Sequence, residues 1–525
     1  MLLKCLSGCL PFISQQLARR TSSVPRTGIN CAFVPRFSGA LLRYSSLPWN
    51  IHDASSRLAS HPAKRVQNLN LCRARYSLIV KTCQIIIPFL ALLLVAITAT
   101  PAQAGFSVST PNGDKLEIKI WGEKNRGPLF IWLLNQYGET KRYDGYAVEL
   151  AKKDASVWQV DLLDSLMLER TAEAIRNLDG TPVASLLEAG IKSGRSPIVL
   201  VASDRVTVPL MKGLREWQVR AQSPSSPQIG NNGAVAGGVL FFPNLYRGTP
   251  VAGEDPELMD IVAATNMPIL IMQPALGSNL NRLPMLLKTL HQAGSPAFAW
   301  LVPEVRDYYL LQTEKPVSES LQAMAGKVPA PVERAIKETP DRLLAAARLL
   351  AASDKPSKPR PMQDVSLKAT APAYGLIERP RRSAPDFTLT DAHGKTHRLN
   401  HGRITLVNFW ATWCPPCVHE IPSMNRLASA FNEKEFGIVS INFKEDADHI
   451  LAFLKRVDVD FPVLLDHNGA VSASWKVFAF PSTFLLDHKG NVRYSVNTAI
   501  EWDNDEVKAV IQQLIDETKT SKTVN

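Results

Sequence analysis

Between residues 105 and 350, short apolar runs alternate with segments whose apolar positions recur every three to four residues. Unbroken apolar runs of four to eight residues read as strands buried on both faces, and the 3.6-residue spacing reads as helices laid over them. The pattern predicts strands at 115–121, 128–134, 157–162, 197–202, 234–242, 268–273 and 297–302, with helices at 143–153, 182–192, 207–220 and 281–293 between them. Such alternation implies an α/β domain. Residues 328–352, rich in Ala, Leu and Arg, read as a helix interrupted at Pro340, because proline lacks the N–H that an interior position needs. The stretch 353–382 is polar and carries Pro356, Pro359, Pro361, Pro372 and Pro380, so it reads as a semi-stiff linker.

Beyond residue 383 the pattern predicts central strands at 405–409 and 437–442 and a hairpin of 483–487 with 491–495 across His488-Lys489-Gly490. A helix with Pro422 inside it falls between the first two strands, and 505–515 reads as a closing helix. Together they give a mixed sheet of four or five strands flanked by helices. The chain is therefore organised as a leader (1–104), an α/β domain (105–352), the linker (353–382) and a second α/β domain (383–525).

Charge changes the picture only at the N-terminus. The net charge of +11 over 525 residues invites a nucleic-acid reading. Residues 1–104, however, contain 12 Lys/Arg against the single acid Asp53, which leaves the body balanced at zero and without a basic bias for phosphates. Residues 81–104 have the parts of a secretory signal: a basic start, an apolar run over 85–97, and the small-residue ending Ala102-Gln103-Ala104. The run is short for a span of about 20 residues, which favours cleavage after Ala104 and a periplasmic protein. A membrane anchor over 85–99 facing the periplasm is the alternative. Residues 1–79 read as an over-extended gene start ahead of a signal peptide at about 80–104. Their Arg/Ser-rich composition leaves an organellar presequence as the other reading.

Cysteine usage divides the same way. Cys5, Cys9, Cys31, Cys72 and Cys83 precede residue 105, and only Cys414 and Cys417 follow it. An exported protein with one thiol pair avoids mispairing in an oxidising compartment. The pair lies in VNFWATWCPPCVHE, where an apolar strand gives way to a helix. Cys414 falls at the helix start, where unpaired N–H groups and the helix dipole favour a thiolate, and Pro415 suits the first helical position. Cys417, one turn on, is close enough to attack a mixed disulfide at Cys414. A zinc site would need two further soft ligands. Haem attachment needs Cys-x-x-Cys-His, whereas Val418 follows Cys417. No metal and no cofactor is expected.

On the segments at 384–395, 406–417, 461–477 and 480–492, together with Glu420, residues 383–517 resemble thioredoxin-fold domains of the TlpA/ResA type, periplasmic thiol–disulfide oxidoreductases. The resemblance implies a redox-active Cys414–Cys417 disulfide and a cis peptide at Pro481 packed against the cysteines. It also implies a backbone at Phe480 that pairs with an extended substrate segment. Trp413 and Pro415 complete the expected substrate-binding surface. Thioredoxins proper carry an Asp six residues before the first cysteine, where this chain has Asn408. The TlpA/ResA type instead has its functional Glu at the position of Glu420, which could take the Cys417 proton. The resemblance further implies a reductase of protein disulfides recharged by a membrane thiol carrier. His419 is expected on the helix surface, Trp410 and Trp413 around Cys417 so that they shield it and leave Cys414 as the exposed thiol, and Trp475 and Trp502 as plain core or edge aromatics.

The order of elements in 105–352 resembles the α/β-hydrolase fold, but its catalytic parts are missing. Ser203 sits at the expected strand-to-helix turn, yet Val201 and Arg205 flank it where small residues belong. Residues 275–282 contain no acid, and Glu304-Val305-Arg306-Asp307 stand where a histidine should follow the last strand. His291, the one histidine from 105 to 392, falls within a helical pattern. A Ser–His–acid triad is not expected, and the domain reads as non-catalytic, serving to bind a partner or substrate through loops such as 274–281 and 222–233. The readings to weigh are thus a thiol–disulfide oxidoreductase with an accessory domain, a serine hydrolase with a redox regulatory domain, and a non-catalytic docking protein.

Overall fold

Strands β1 (Gly105–Ser109), β2 (Lys115–Trp121), β3 (Leu129–Leu133), β4 (Ser156–Val160), β5 (Ile198–Ser203), β6 (Val235–Phe241), β7 (Ile269–Pro274) and β8 (Ala297–Val302) form one sheet in the order β1-β2-β4-β3-β5-β6-β7-β8. The computed structural model describes residues 105–138, 140–222, 233–312, 328–355, 358–362 and 375–523. The leader with its signal and anchor readings, most of the 222–233 loop and much of the 353–382 stretch lie outside the described residues. β2 runs antiparallel to β1 and β4, and the strands from β3 to β8 are parallel.

The unbroken apolar runs of β3, β5, β6 and β7 are buried along their whole length because helices cover both faces. One face packs Val183, Leu187, Leu210, Leu214 and Leu290 from the helices Thr181–Lys192, Thr207–Ala221 and Leu283–Gln292. The other packs Tyr143, Ala147 and Leu150 from Lys141–Lys152 with Leu343, Ala346 and Leu350 from Ala330–Ala352. Each fully buried Leu or Val contributes roughly 1.5–3 kcal/mol. The helix expected to break at Pro340 instead runs through it. Pro340 is buried, and Thr339 Oγ1 donates to the Ala335 carbonyl at 2.8 Å in the turn where the proline withholds its N–H. Three short helices, Leu162–Ser165, Ala172–Asn177 and Asp260–Ala264, and strand β1 were not anticipated from the pattern.

Strand β9 (Ile377–Ser383) opens the second body. A small hairpin, β10 (Thr388–Thr390) with β11 (Thr396–Arg398), follows it, then β12 (Ile404–Trp410), β13 (Phe436–Phe443), β14 (Val463–Asp466), β15 (Ser482–Leu486) and β16 (Asn491–Val496). The sheet order is β14-β13-β12-β15-β16-β9, with β12, β13 and β14 parallel and the remaining pairs antiparallel. The linker reading is thus corrected at its end, since β9 lies inside it and makes the sheet six-stranded. The helices Pro415–Ser429, Ala447–Leu454 and Asp505–Thr523 share one apolar cluster on one side of β12.

On the other side, Ala252 from the loop after β6 joins Phe387, Phe409, Trp475 and Phe484 in a single cluster. The adjoining Gly253 has φ +85°, and a Cβ there would run into Arg382 and Phe484, so this close approach needs glycine. Around it Asp255 pairs with Lys476 at 2.7 Å, Glu254 pairs with Arg379, and Asn497 Nδ2 donates to the Pro250 carbonyl at 2.6 Å. Among the described residues no helix is long and apolar enough to cross a membrane.

Candidate functional site

β12 is the central strand and wholly buried, so whatever leaves its carboxyl end is held rigidly. The chain turns there at Thr412. Its N–H and Oγ1 donate to Glu445 at 2.8 and 2.7 Å, and Asn442 Nδ2 holds the same carboxylate at 2.7 Å. Cys414 then caps the helix Pro415–Ser429, with Pro415 exposed in its first turn. Cys417 N–H points at Cys414 Sγ across 3.3 Å. A donor so placed, added to the helix dipole, is the arrangement that favours a thiolate at a helix start.

The two sulfurs are bonded at 2.04 Å, with Cα atoms 5.3 Å apart. Cys414 is 5 % exposed and Cys417 1 %. The expected contrast between an open and a shielded thiol is therefore a difference of degree, and both belong to the apolar cluster under the helix. Trp410 joins Cys414 and Cys417 in that cluster. It packs on Phe453 with ring centroids 5.3 Å apart and donates to Ser440 Oγ. Trp413, 39 % exposed, packs edge-on to Phe480 at 5.7 Å, and Phe480 in turn meets Phe443 at 4.9 Å. The Phe480–Pro481 peptide is cis.

Glu420 is 1 % exposed, one turn beyond Cys417. Its Oε1 accepts from Asn408 Nδ2 at 2.9 Å and its Oε2 from Trp502 Nε1 at 3.0 Å. Burial pushes the carboxyl up to about 7, against the pull of these two hydrogen bonds. The site therefore has a buried carboxyl raised to near neutrality and held by neutral donors, the Asn408 and Trp502 side chains and the Ile500 backbone. Trp502, read as a plain core aromatic, belongs to this site. Asn408, which replaces the thioredoxin Asp, is a donor to the carboxylate and not a bystander. His419 is exposed on the same helix.

The second candidate centre departs from expectation. Ser203 ends β5 in extended conformation, buried beside the Tyr143 hydroxyl. The residue at the sharp strand-to-helix turn is Asp204, with φ +52° and 4 % exposure. Its Oδ2 accepts from Tyr308 Oη at 2.9 Å and pairs with Arg205 Nη1 at 3.2 Å. His291 Nε2 lies 2.8 Å from the Ala297 carbonyl, within its own helix–strand connection. The turn thus holds a carboxylate tied to a tyrosine and an arginine. Among the described residues no group of three or more His, Cys, Asp or Glu is placed to hold a metal ion.

Residues 380–511 match the Redoxin family model. Thiol-disulfide oxidoreductase ResA of Geobacillus kaustophilus (strain HTA426) is 37 % identical over 113 residues, which are 21 % of this chain and 65 % of that protein. Thioredoxin-like protein YneN of Bacillus subtilis (strain 168) is 36 % identical over 117 residues, 21 % of this chain and 68 % of YneN. The chain thus spans about two thirds of the length of these curated relatives. The crystal structure of StoA from Bacillus subtilis aligns with 25 % of this chain and 96 % of that one, at 22 % identity and a TM-score of 0.22.

Proposed function

From a chain that belongs to the Redoxin family through residues 380–511, we propose an exported thiol–disulfide oxidoreductase that reduces disulfides in other proteins. The observation that carries this reading is the buried Cys414–Cys417 pair at a helix start, with Glu420 one turn further on and titrating at about 7.

In the reduced state the Cys414 thiolate attacks a substrate disulfide. One substrate sulfur leaves as thiolate and the other is bonded to Cys414. The Glu420 carboxylate takes the Cys417 proton, and the new thiolate attacks Cys414 Sγ. The second substrate thiolate leaves and the Cys414–Cys417 bond forms. The substrate has gained the electron pair that the enzyme dithiol lost, and a membrane thiol carrier restores the dithiol. The periplasm, reached through the signal at about 80–104, supplies the oxidising setting. Trp413, Pro415, Phe480 and Pro481 would receive the substrate segment, paired through the backbone of Phe480 as a short added strand.

The domain at 105–352 is read as hydrolase-like and non-catalytic. The strand order with β2 antiparallel and the positive-φ turn at Asp204 support the likeness. The arginine and tyrosine bound to that carboxylate, in place of a histidine, argue against hydrolysis. Cys417→Ser tests the whole. It should trap substrate proteins covalently on Cys414, while Cys414→Ser should abolish insulin reduction. A reduced wild-type chain that leaves insulin disulfides intact would refute the function.

A further inference from the structure

The loops at the carboxyl ends of three neighbouring parallel strands in the eight-stranded sheet converge on the rim of the thiol site. Tyr246 follows β6, Arg282 follows β7 and Arg306 follows β8. In open parallel sheets this edge is where ligands are ordinarily seated. Here it seats the segment 477–481, which leads into the cis proline. Arg282 Nη2 donates to the Val477 carbonyl at 2.8 Å, and its guanidinium lies 5.1 Å from the centre of the Phe478 ring. Tyr246 meets the same ring edge-on at 5.1 Å. Phe478 is thus held between a cation and an aromatic edge, both supplied by the other sheet.

The opposite lip is held from the same side. The Arg306 guanidinium lies 5.3 Å from the Trp413 ring, next to Cys414, and also donates to the Lys444 carbonyl. Trp413 and Phe480 touch each other, so the two braced lips meet. Behind them, Ser482 Oγ donates to Asn497 Oδ1 at 2.8 Å, and Asn497 donates to the Pro250 carbonyl. The contacts made by Tyr246, Pro250, Arg282 and Arg306 join residues more than a hundred positions apart.

We propose that the strand-end loops of the 105–302 sheet are part of the polypeptide-binding groove of the thiol site. Arg282 and Arg306 act as positioning residues that fix the 477–481 loop against Trp413. The substrate class is an extended, cysteine-bearing segment of a polypeptide. With Cys414 nearly buried, a narrow strand laid along Phe480 can reach it, and its register depends on a rigid loop. This inference rests on the reading of Cys414 and Cys417 as a thiol-exchange pair.

The test uses the full chain with Arg282→Ala, Arg282→Lys and, as an independent second variant, Arg306→Ala. Insulin reduction supplies kcat and KM, glutathione equilibration the potential of the pair, and hydrogen exchange the protection of the 478–480 amides. Arg282→Ala should raise KM for insulin about tenfold with kcat within about twofold. The potential should stay unchanged and the amides should exchange faster. Arg282→Lys keeps a cation and a donor, and should bring KM back most of the way. Arg306→Ala should raise KM without loosening the 478–480 amides. An unchanged KM in both alanine variants overturns the proposal, as does a loss in kcat with a shifted potential. A wild-type chain unable to reduce insulin would instead sink the thiol-exchange reading, and amide protection would still report whether the brace exists.

Discussion

Trp502 Nε1 donates to Glu420 Oε2 across 3.0 Å, although 82 positions separate the two in the chain. The bond gives a buried carboxylate a fixed partner that cannot itself titrate. Together with Asn408 and the Ile500 backbone it sets how far burial can raise the Glu420 pKa. On the proposed mechanism Cys417 loses its proton to Glu420 only when the carboxyl is ionised, so the pH dependence expected of the site turns on this contact.

Glu420→Gln should slow the resolving step by about 10²-fold or more at pH 8, the usual scale for losing a general base. The wild-type rate should climb through pH about 7 as Glu420 ionises, and that climb should be absent from the variant. Stopped-flow reduction of a disulfide substrate between about pH 6 and 9 reads both. Superimposable profiles would remove Glu420 from the mechanism.

Trp502→Phe keeps the ring in the core and deletes only the N–H. Because that hydrogen bond holds the Glu420 pKa down, its loss should move the carboxyl further up and shift the rate profile to higher pH. The plateau rate at high pH should change little. A profile that stays in place while the plateau falls would mark Trp502 as packing alone.

The same burial predicts a stability effect. The Glu420 pKa is raised on folding, from 4.5 to about 7. Between those values the folded protein binds a proton that the unfolded chain has released. Its contribution is therefore complete below about pH 4.5 and is lost as pH rises through about 7. The integrated penalty is on the order of 3 kcal/mol at pH 8. Glu420→Gln should accordingly be more stable than the wild type at pH 8, by about 1–3 kcal/mol, and should lose the advantage near pH 5. Urea unfolding at the two pH values checks the sign.

The sequence made legible whatever local pattern controls. The strands β3, β5, β6 and β7 are buried on both faces, so their apolar runs are unbroken, and Cys414 lies where strand meets helix. What it hid was tertiary. The run Ile377–Ser383 is mostly exposed, polar and contains Pro380, so as an edge strand it carries no apolar signal and reads as linker. Ser203 and Asp204 differ by one position at the end of β5, and only the backbone reveals which residue occupies the turn. Nothing near Arg282, Arg306 or Trp502 in the chain points to a thiol site more than 80 residues away.

Asp204→Asn separates the strand-end turn from redox chemistry. Asn tolerates the positive φ there, so backbone strain stays as it was, and it can still accept from Tyr308. The lost element is the charge facing Arg205, whose side chain is only partly exposed. The pair should be worth about 1–3 kcal/mol, between surface and fully buried ion pairs. Thermal melts should show that loss, while the Cys414–Cys417 potential should stay in place, since the Asp204 carboxylate makes its side-chain bonds to Tyr308 and Arg205. A hydrolytic role for the turn would appear instead as an ester-cleaving activity of the wild type that Asp204→Asn removes. The arginine and tyrosine bound to that carboxylate predict that no such activity will be found.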